Sequence, residues 1–259
     1  MTKHYKGKLL SPPNINIKAM KNLALKVHTY FLSLAPSDTS GFNVCAMANR
    51  VSINEKNPNK SNCSYVCVAH NGNGRFEVVE KARIRKTRKF FLDRDNFLIE
   101  LVQDIFKAIE YSKYYGFEPT FRLNAYSDLP FERIKIKSFG NCTIQELFPD
   151  VTFYDYSKVP NRKTPNNYEL TYSHWGKWET TNDQIKKGYN VAMVFNTNND
   201  KNAKLPTTFN NLKVIDGDKT DLRTMQNDGK NTIVGLRAKM SQAKIQKELN
   251  EKNPFVVNP

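Results

Sequence analysis

Val191-Ala192-Met193-Val194-Phe195 is the stretch on which the fold turns. Five apolar residues in a row, branched and aromatic among them, are too short for a helix and suit a strand buried on both faces. The run ends in a polar residue, Asn196, and the same grammar recurs on either side of it. Thr120-Phe121-Arg122-Leu123-Asn124 leads to Ser127 and Asp128, Val151-Thr152-Phe153-Tyr154 to Asp155 and Lys158, and Tyr168-Glu169-Leu170-Thr171 to Ser173 and His174. Downstream, Leu212-Lys213-Val214-Ile215 leads to Asp216 and Asp218, and Thr232-Ile233-Val234-Gly235-Leu236 to Arg237 and Lys239. Phe42–Ala48 reads as a further short strand, containing Cys45, and helices over Thr143–Phe148 and Asn182–Gly188 separate some of the others. Strands alternating with helical or looping crossovers predict an α/β fold with a mainly parallel sheet, arranged as a TIM-like β/α barrel or partial barrel. In such folds ligands bind at the C-terminal ends of the strands, where these polar residues fall.

Before the strands, Phe76 to Tyr115 has a helical pattern. Phe97, Leu98, Leu101, Val102, Ile105, Phe106 and Ile109 recur at three- and four-residue steps and make one apolar stripe, which Gly116 and Pro119 bring to an end. Residues 1–40 read as a basic arm plus one helix over Ile17–Leu34, bounded by Pro12-Pro13 on one side and Pro36 and Gly41 on the other. Residues 41–259 read as a single α/β domain.

The 259-residue chain carries 40 Lys and Arg against 25 Asp and Glu, a formal charge of +15. Such an excess attracts polyanions and releases counterions when phosphate is bound. Solubility, or a lysine-rich proteome, produces the same excess. The densest basic run is Lys81, Arg83, Arg85, Lys86, Arg88 and Lys89, which is either a solvated helix face or the surface that meets nucleic-acid phosphates. No apolar run approaches the roughly 18 residues of a membrane span, and the N-terminus lacks the apolar core of a secretory signal. A cytoplasmic location without membrane contact is expected.

The cysteines are spaced Cys45-x17-Cys63-x3-Cys67, with His70 shortly after and Cys142 far away. Closely spaced cysteines in a cytoplasmic chain point to metal binding or catalysis more than to disulfides. Thiolates select soft or borderline metals. Three of them suit a four-iron cluster with one open iron; three plus His70 suit a closed tetrahedral zinc site; unliganded core thiols remain the third possibility. Gly72 and Gly74 follow, permit a tight backbone path and are the candidates for cofactor contact.

Several motifs carry a family resemblance. They are Cys63-x3-Cys67…Gly72-x-Gly74-x-Phe76, Lys81-Ala82-Arg83-Ile84-x-Lys86-Thr87, Arg122-Leu123-Asn124…Ser127-Asp128, Phe148-Pro149-Asp150-Val151-x-Phe153-Tyr154-Asp155-Tyr156-x-Lys158 and Asn167-Tyr168-x-Leu170-Thr171-x-Ser173. With Val214-Ile215-Asp216-Gly217-Asp218 and Ile233-Val234-Gly235-Leu236, they resemble a family of phage-encoded proteins related to the gene-product-88 group, over roughly residues 40 to 257. That resemblance implies a phage origin, and hence the host cytoplasm, but brings no activity with it. The layout is also similar to radical S-adenosylmethionine enzymes, in which three cysteines follow an early strand and precede a β/α barrel. It implies an iron–sulfur cluster with S-adenosylmethionine as a cofactor. The sequence departs from their Cys-x3-Cys-x2-Cys loop by the long gap after Cys45.

Two functions follow. The first is an iron–sulfur enzyme acting on a nucleic acid or nucleotide, with Asn124, Asp128, Asp155, Lys158 and Ser173 lining the substrate side. The second is a non-enzymatic basic phage protein that binds nucleic acid or a host protein, its cysteines structural or zinc-bound. Ser127-Asp128 offers either a general base at a strand end or a cap for the following turn. Along Asp155–Lys158, alternation places Asp155 and Ser157 on one face and Tyr156 and Lys158 on the other. Asp216-Gly217-Asp218 reads as a turn or a divalent-ion motif, and Trp175, Lys177 and Trp178 as a core anchor or a base-stacking surface.

Overall fold

The structure is a computed structural model that describes residues 4–15, 17–48, 67–70, 74, 76–198, 200–238 and 255–259. Strands form where branched and aromatic residues cluster, and helices where the apolar spacing is three to four. In chain order the elements are β1 (Leu10–Ser11), α1 (Ile17–Lys21), β2 (Val27–Leu32), α2 (Glu77–Leu92), α3 (Arg94–Tyr114), β3 (Glu118–Arg122), α4 (Ile144–Leu147), β4 (Thr152–Ser157), β5 (Tyr168–Ser173) and α5 (Trp178–Lys186). They are followed by β6 (Val191–Phe195), β7 (Thr208–Phe209), β8 (Leu212–Asp216), α6 (Met225–Asp228), β9 (Ile233–Arg237) and β10 (Val256–Val257).

Among the described residues ten strands join one mixed α/β sheet in the order β1-β2-β3-β4-β5-β6-β9-β8-β7, with β10 beside β6. The β1–β2 and β7–β8 pairs are antiparallel and the others parallel. From β2 to β6 each strand lies beside its predecessor, which is the winding of a barrel. The sheet is nevertheless not closed: its path begins at β1 and ends at β7, two-residue antiparallel strands that blunt the two edges. The barrel expected from the strand count is therefore an open sheet.

Alternation along the strands separates two faces. Tyr30, Phe121, Phe153, Tyr168 and Leu170 share a core with Phe97, Leu101, Val102 and Ile105 of α3. Tyr172, Val191, Met193 and Phe195 continue that face under Ile185 and Trp178 of α5. The opposite face carries Arg122, Tyr156, Ser173, Ala192, Val194 and Leu236, which line a cavity together with Ile17 and Lys21 of α1. One local irregularity shapes that cavity. β5 pairs with β6 only at Tyr172↔Val191 and Ser173↔Ala192, and β10 takes the rest of that edge through Val256↔Val194 and Val257↔Phe195.

Three segments differ from expectation. The helix expected over Ile17–Leu34 covers α1 and a 3-10 turn at Asn22–Leu25, then stops at Lys26, whose φ of 57° is left-handed. The next residues, Val27 to Leu32, are wholly buried and pair with β3, so tertiary pairing overrides the helical spacing. Phe42–Ala48 is a loop instead of a strand. Gly41 turns the chain at φ 89°, Val44 N bonds Ser37 O, and the Asn43 side chain accepts Cys45 N. The long helix expected over Phe76–Tyr115 is two helices that meet at Asp93.

Candidate functional site

The cavity has a volume of about 490 Å³ and lies over the C-terminal ends of the parallel strands. Among its lining residues are Cys45, Cys67, Asn124, Asp128, Lys158 and Ser173. Residues chosen from five separate stretches of sequence thus meet at one place.

Their local bonding differs in kind. Asn124, just past β3, uses both ends of its amide: Oδ1 accepts Ser127 Oγ and Leu129 N, each at 2.8 Å, and Nδ2 donates to Leu129 O at 2.9 Å. It shapes the turn. Asp128 accepts from Ser157 Oγ and Lys158 N, both at 2.8 Å, and from Arg162 Nη1 at 2.7 Å. Arg162 also grips Glu132 through Nε at 2.9 Å and Nη2 at 2.7 Å. With its oxygens engaged in this way, Asp128 anchors the end of β4 and is poorly placed to act as a general base. Lys158 Nζ donates to Ser173 Oγ at 3.2 Å and lies 4.7 Å from the centre of the Phe255 ring.

Asp155 lies on the other face and is absent from the cavity lining, as alternation requires. Fully buried, it accepts Leu123 N at 3.2 Å, Asn124 N at 3.1 Å and Tyr168 OH at 3.1 Å. Burial pushes its carboxyl up to about 7, against the opposing pull of the nearby Arg122 guanidinium. Its bonds fix the chain as it leaves β3.

Cys45 and Cys67 bring two thiols to the cavity from separate described stretches of the chain. Cys45 Sγ accepts Ser37 N at 3.4 Å and faces Tyr126 O at 3.6 Å. Burial, partly offset by the Ser37 N–H, pushes the thiol up to about 12, and Cys67 and Asp128 push it the same way. Without a metal it is a neutral thiol whose hydrogen points to Tyr126 O. Among the described residues no three His, Cys, Asp or Glu side chains are grouped to hold a metal ion. Cys63 and Gly72 lie outside the described residues, as does the side chain of His70, which ends a 3-10 turn over Val68–His70. Thiolates are the donors a thiophilic metal takes, and the third and fourth candidates, Cys63 and His70, have side chains outside the described residues. Cys142 stands apart in an isolated bridge, Ile136↔Cys142.

The basic run on α2 is largely turned to internal use. Arg83 is buried; it donates to Ala69 O at 3.1 Å and to Gly74 O, and its guanidinium lies over the Tyr126 ring. That explains Gly74: a Cβ there would run into the Ala69 carbonyl. Lys86 bonds Leu9 O at 2.6 Å, Arg88 bonds Ser40 O at 3.3 Å, Lys89 pairs with Glu100 at 2.6 Å and Lys81 with Glu77 at 2.6 Å. Arg85 is exposed. Arg83 has no surface to offer a phosphate, whereas Lys81, Arg85 and Arg88 remain exposed at i, i+4 and i+7 on one face of the helix.

Sequence reasoning missed the charged wall of the cavity. Arg122 is buried in the sheet, donates to Asp221 at 2.8 Å, and stacks on Phe31, Tyr154 and Tyr156. Arg237 closes a fork onto Asp216 at 2.8 and 2.9 Å and onto Asp218 at 3.1 Å. The Asp216-Gly217-Asp218 motif is therefore an arginine clamp in this structure. The hydrogen bonds from Arg237 lower the Asp216 carboxyl below its ordinary range. Trp175 donates to Tyr172 OH at 3.1 Å and Trp178 packs edge-on against Phe209, so both indoles anchor the core. His174 is buried, its Nε2 accepting Gly176 N and its Nδ1 facing Thr181 Oγ1 at 2.7 Å. Burial lowers it to about 4, with Lys158 adding to the effect.

An open, mainly parallel sheet with a polar-rimmed cavity over its strand ends defines a mixed α/β protein. The chain matches the Gene product 88 family model over residues 6–252, and it belongs to that phage-type family. No curated protein and no solved structure matched it. Among the described residues no helix is long and apolar enough to cross a membrane.

Proposed function

We propose that this chain is an iron–sulfur enzyme working in the host cytoplasm on a nucleotide or nucleic-acid substrate, with the strand-end cavity as its active site. The observation that carries this reading is the convergence of Cys45 and Cys67 on the cavity that also holds Lys158, Ser173 and Asp128. Cys45, Cys67 and Cys63 would hold the cluster. A cluster with an open iron supplies electron transfer to a bound cofactor such as S-adenosylmethionine. The chain's own residues would bind and orient the substrate: Lys158 and Ser173 as donors, Arg122 and Arg237 as fixed charges, and Asp128 as the group that holds Lys158 in register. β10 and Phe255 would wall the site from water. The sequential strand winding supports the likeness to a partial barrel, with chemistry at the same end.

Binding of nucleic acid through α2 is the less favoured function, because Arg83, Lys86, Arg88 and Lys89 are engaged with neighbouring groups. Zinc on the same thiols is the less favoured metal. Anaerobic purification distinguishes these possibilities. The enzyme function predicts a brown protein with broad visible charge-transfer absorption that disappears in Cys67→Ala and Cys63→Ala. A colourless protein containing zinc or no metal would overturn it.

A further inference from the structure

Among the described residues, four basic side chains line the cavity: Lys21, Arg122, Lys158 and Arg237. Arg122 is held by Asp221, and Arg237 by Asp216 and Asp218. Lys21, exposed at the rim, donates to the Asp218 carbonyl. Lys158 differs from these. It is half-buried inside the cavity, and among the described residues no carboxylate forms an ion pair with its ammonium. The carboxylate closest to it in bonding terms, Asp128, is turned to its backbone N–H and to Arg162.

The ammonium of Lys158 has three hydrogens, and Ser173 Oγ takes one of them. The Ser173 oxygen serves there as acceptor, so the hydroxyl keeps its own hydrogen to give. Ser173 is 8% exposed, and among the described residues no acceptor is bonded to that hydrogen. A buried hydroxyl rarely goes without an acceptor. Among the described residues, two ammonium hydrogens and one hydroxyl hydrogen thus lack a hydrogen-bond acceptor, on heavy atoms 3.2 Å apart that belong to two residues of the cavity lining. The Phe255 ring lies against the ammonium on the side where β10 closes the gap beside β6.

We infer that Lys158 Nζ and Ser173 Oγ form a binding subsite for the phosphate group of a nucleoside-monophosphate-sized ligand. A lysine ammonium is a compact charge well suited to phosphate, and a neighbouring hydroxyl supplies a second donor. Phosphate also meets the unused hydrogens on both groups at once. The space matches a molecule of this size, since about 490 Å³ lies within the usual range of small-ligand sites. Besides its paired charges, the cavity lining includes Ala192, Val194, Leu236, Tyr126 and Tyr156, apolar and aromatic surface on offer to a base and sugar. Asp128, locked by Arg162, Ser157 and the Lys158 N–H, sets the lysine's position without touching the ligand. The nucleoside part of this inference rests on the substrate proposed above; the phosphate part rests on the cavity alone.

Calorimetric titration of adenosine monophosphate and of adenosine into the full chain tests it, using wild type, Lys158→Gln and Ser173→Ala. The monophosphate should bind about tenfold or more tightly than the nucleoside, with an affinity that falls as salt is raised. Lys158→Gln should lose about tenfold or more of the monophosphate affinity and leave adenosine unchanged, and Ser173→Ala should lose several-fold. Equal binding of the two ligands, or wild-type monophosphate affinity in both variants, would overturn the subsite. Ser173→Ala removes one oxygen and guards against a Lys158 variant that fails to fold. The metal content of the same preparations separates the two proposals. A colourless protein binding the monophosphate through Lys158 keeps the subsite and removes the cluster. A brown protein whose monophosphate binding ignores both substitutions does the reverse.

Discussion

Replacing Arg162 with methionine tests whether the cavity floor is held by buried charge. The Arg162 side chain is 3% exposed, as is Glu132, while Asp128 is 10% exposed. Four hydrogen bonds of 2.7–2.9 Å leave its guanidinium, two to Glu132, one to Asp128 and one to Leu129 O. Methionine keeps most of the volume, so the loss is electrostatic: two carboxylates remain in a dry site without their cation. Breaking a buried pair in this way costs about 3–5 kcal/mol. With a urea dependence of about 3 kcal/mol per molar, the midpoint should fall by about 1–2 M. Equilibrium urea unfolding followed by the fluorescence of Trp175 and Trp178 measures this directly. Lys135→Met is the control, because the Lys135–Glu146 pair has a similar 2.8 Å separation but is about half exposed on both sides. It should cost less than about 1 kcal/mol. An Arg162 variant within about 1 kcal/mol of wild type would refute the claim that this cluster fixes Asp128 and the end of β4.

Three further outcomes follow from the structure. Asp155 is an acid whose folded value is raised to about 7, so the folded state binds its proton more tightly than the unfolded state does. Its contribution to stability should decline as pH rises from about 4 to about 7, and Asp155→Asn should remove that decline from a pH series of urea midpoints. His28 has the opposite sign. It is stacked on Phe117 at 4.1 Å and burial lowers it to about 4, so stability should fall as pH drops from about 6.5 toward 4, and His28→Phe should flatten that limb. In β9, a Cβ on Gly235 would sit 2.9 Å from Val214 Cγ1 and 3.0 Å from Leu205 Cδ1. Gly235→Ala should therefore cost about 1–3 kcal/mol by overpacking, read as a lower thermal midpoint.

Much of the strand-end site could be read from sequence because its signals are local. The run Val191–Phe195 is β6 to the residue, and Lys158 and Ser173 stand where a buried apolar run gives way to polar residues. Alternation alone placed Asp155 and Lys158 on opposite faces. The remainder depends on partners distant in the chain. Arg122 looks like an ordinary strand residue until Asp221, 99 positions later, is folded onto it. Arg237 and the Asp216-Gly217-Asp218 turn meet only because β8 and β9 pair. The α2 basic run reads as one surface, yet Arg83 turns inward to carbonyls supplied by a separate loop. The strand Val27–Leu32 was hidden for the same reason: its apolar spacing fits a helix, and only pairing with β3 decides otherwise.

The measurement closest to the centre of these proposals is an iron, sulfide and zinc count on anaerobically purified chain, wild type beside Cys45→Ser. Cys45 is half-buried in the cavity wall, its thiol bonded to Ser37 N. Wild type should hold about four iron and four sulfide per chain, and Cys45→Ser should lose them while its unfolding free energy in urea stays within about 2 kcal/mol of that of the metal-free protein. Wild type free of iron, or an iron content unchanged by Cys45→Ser, would contradict the proposal that the cavity thiols hold a cluster.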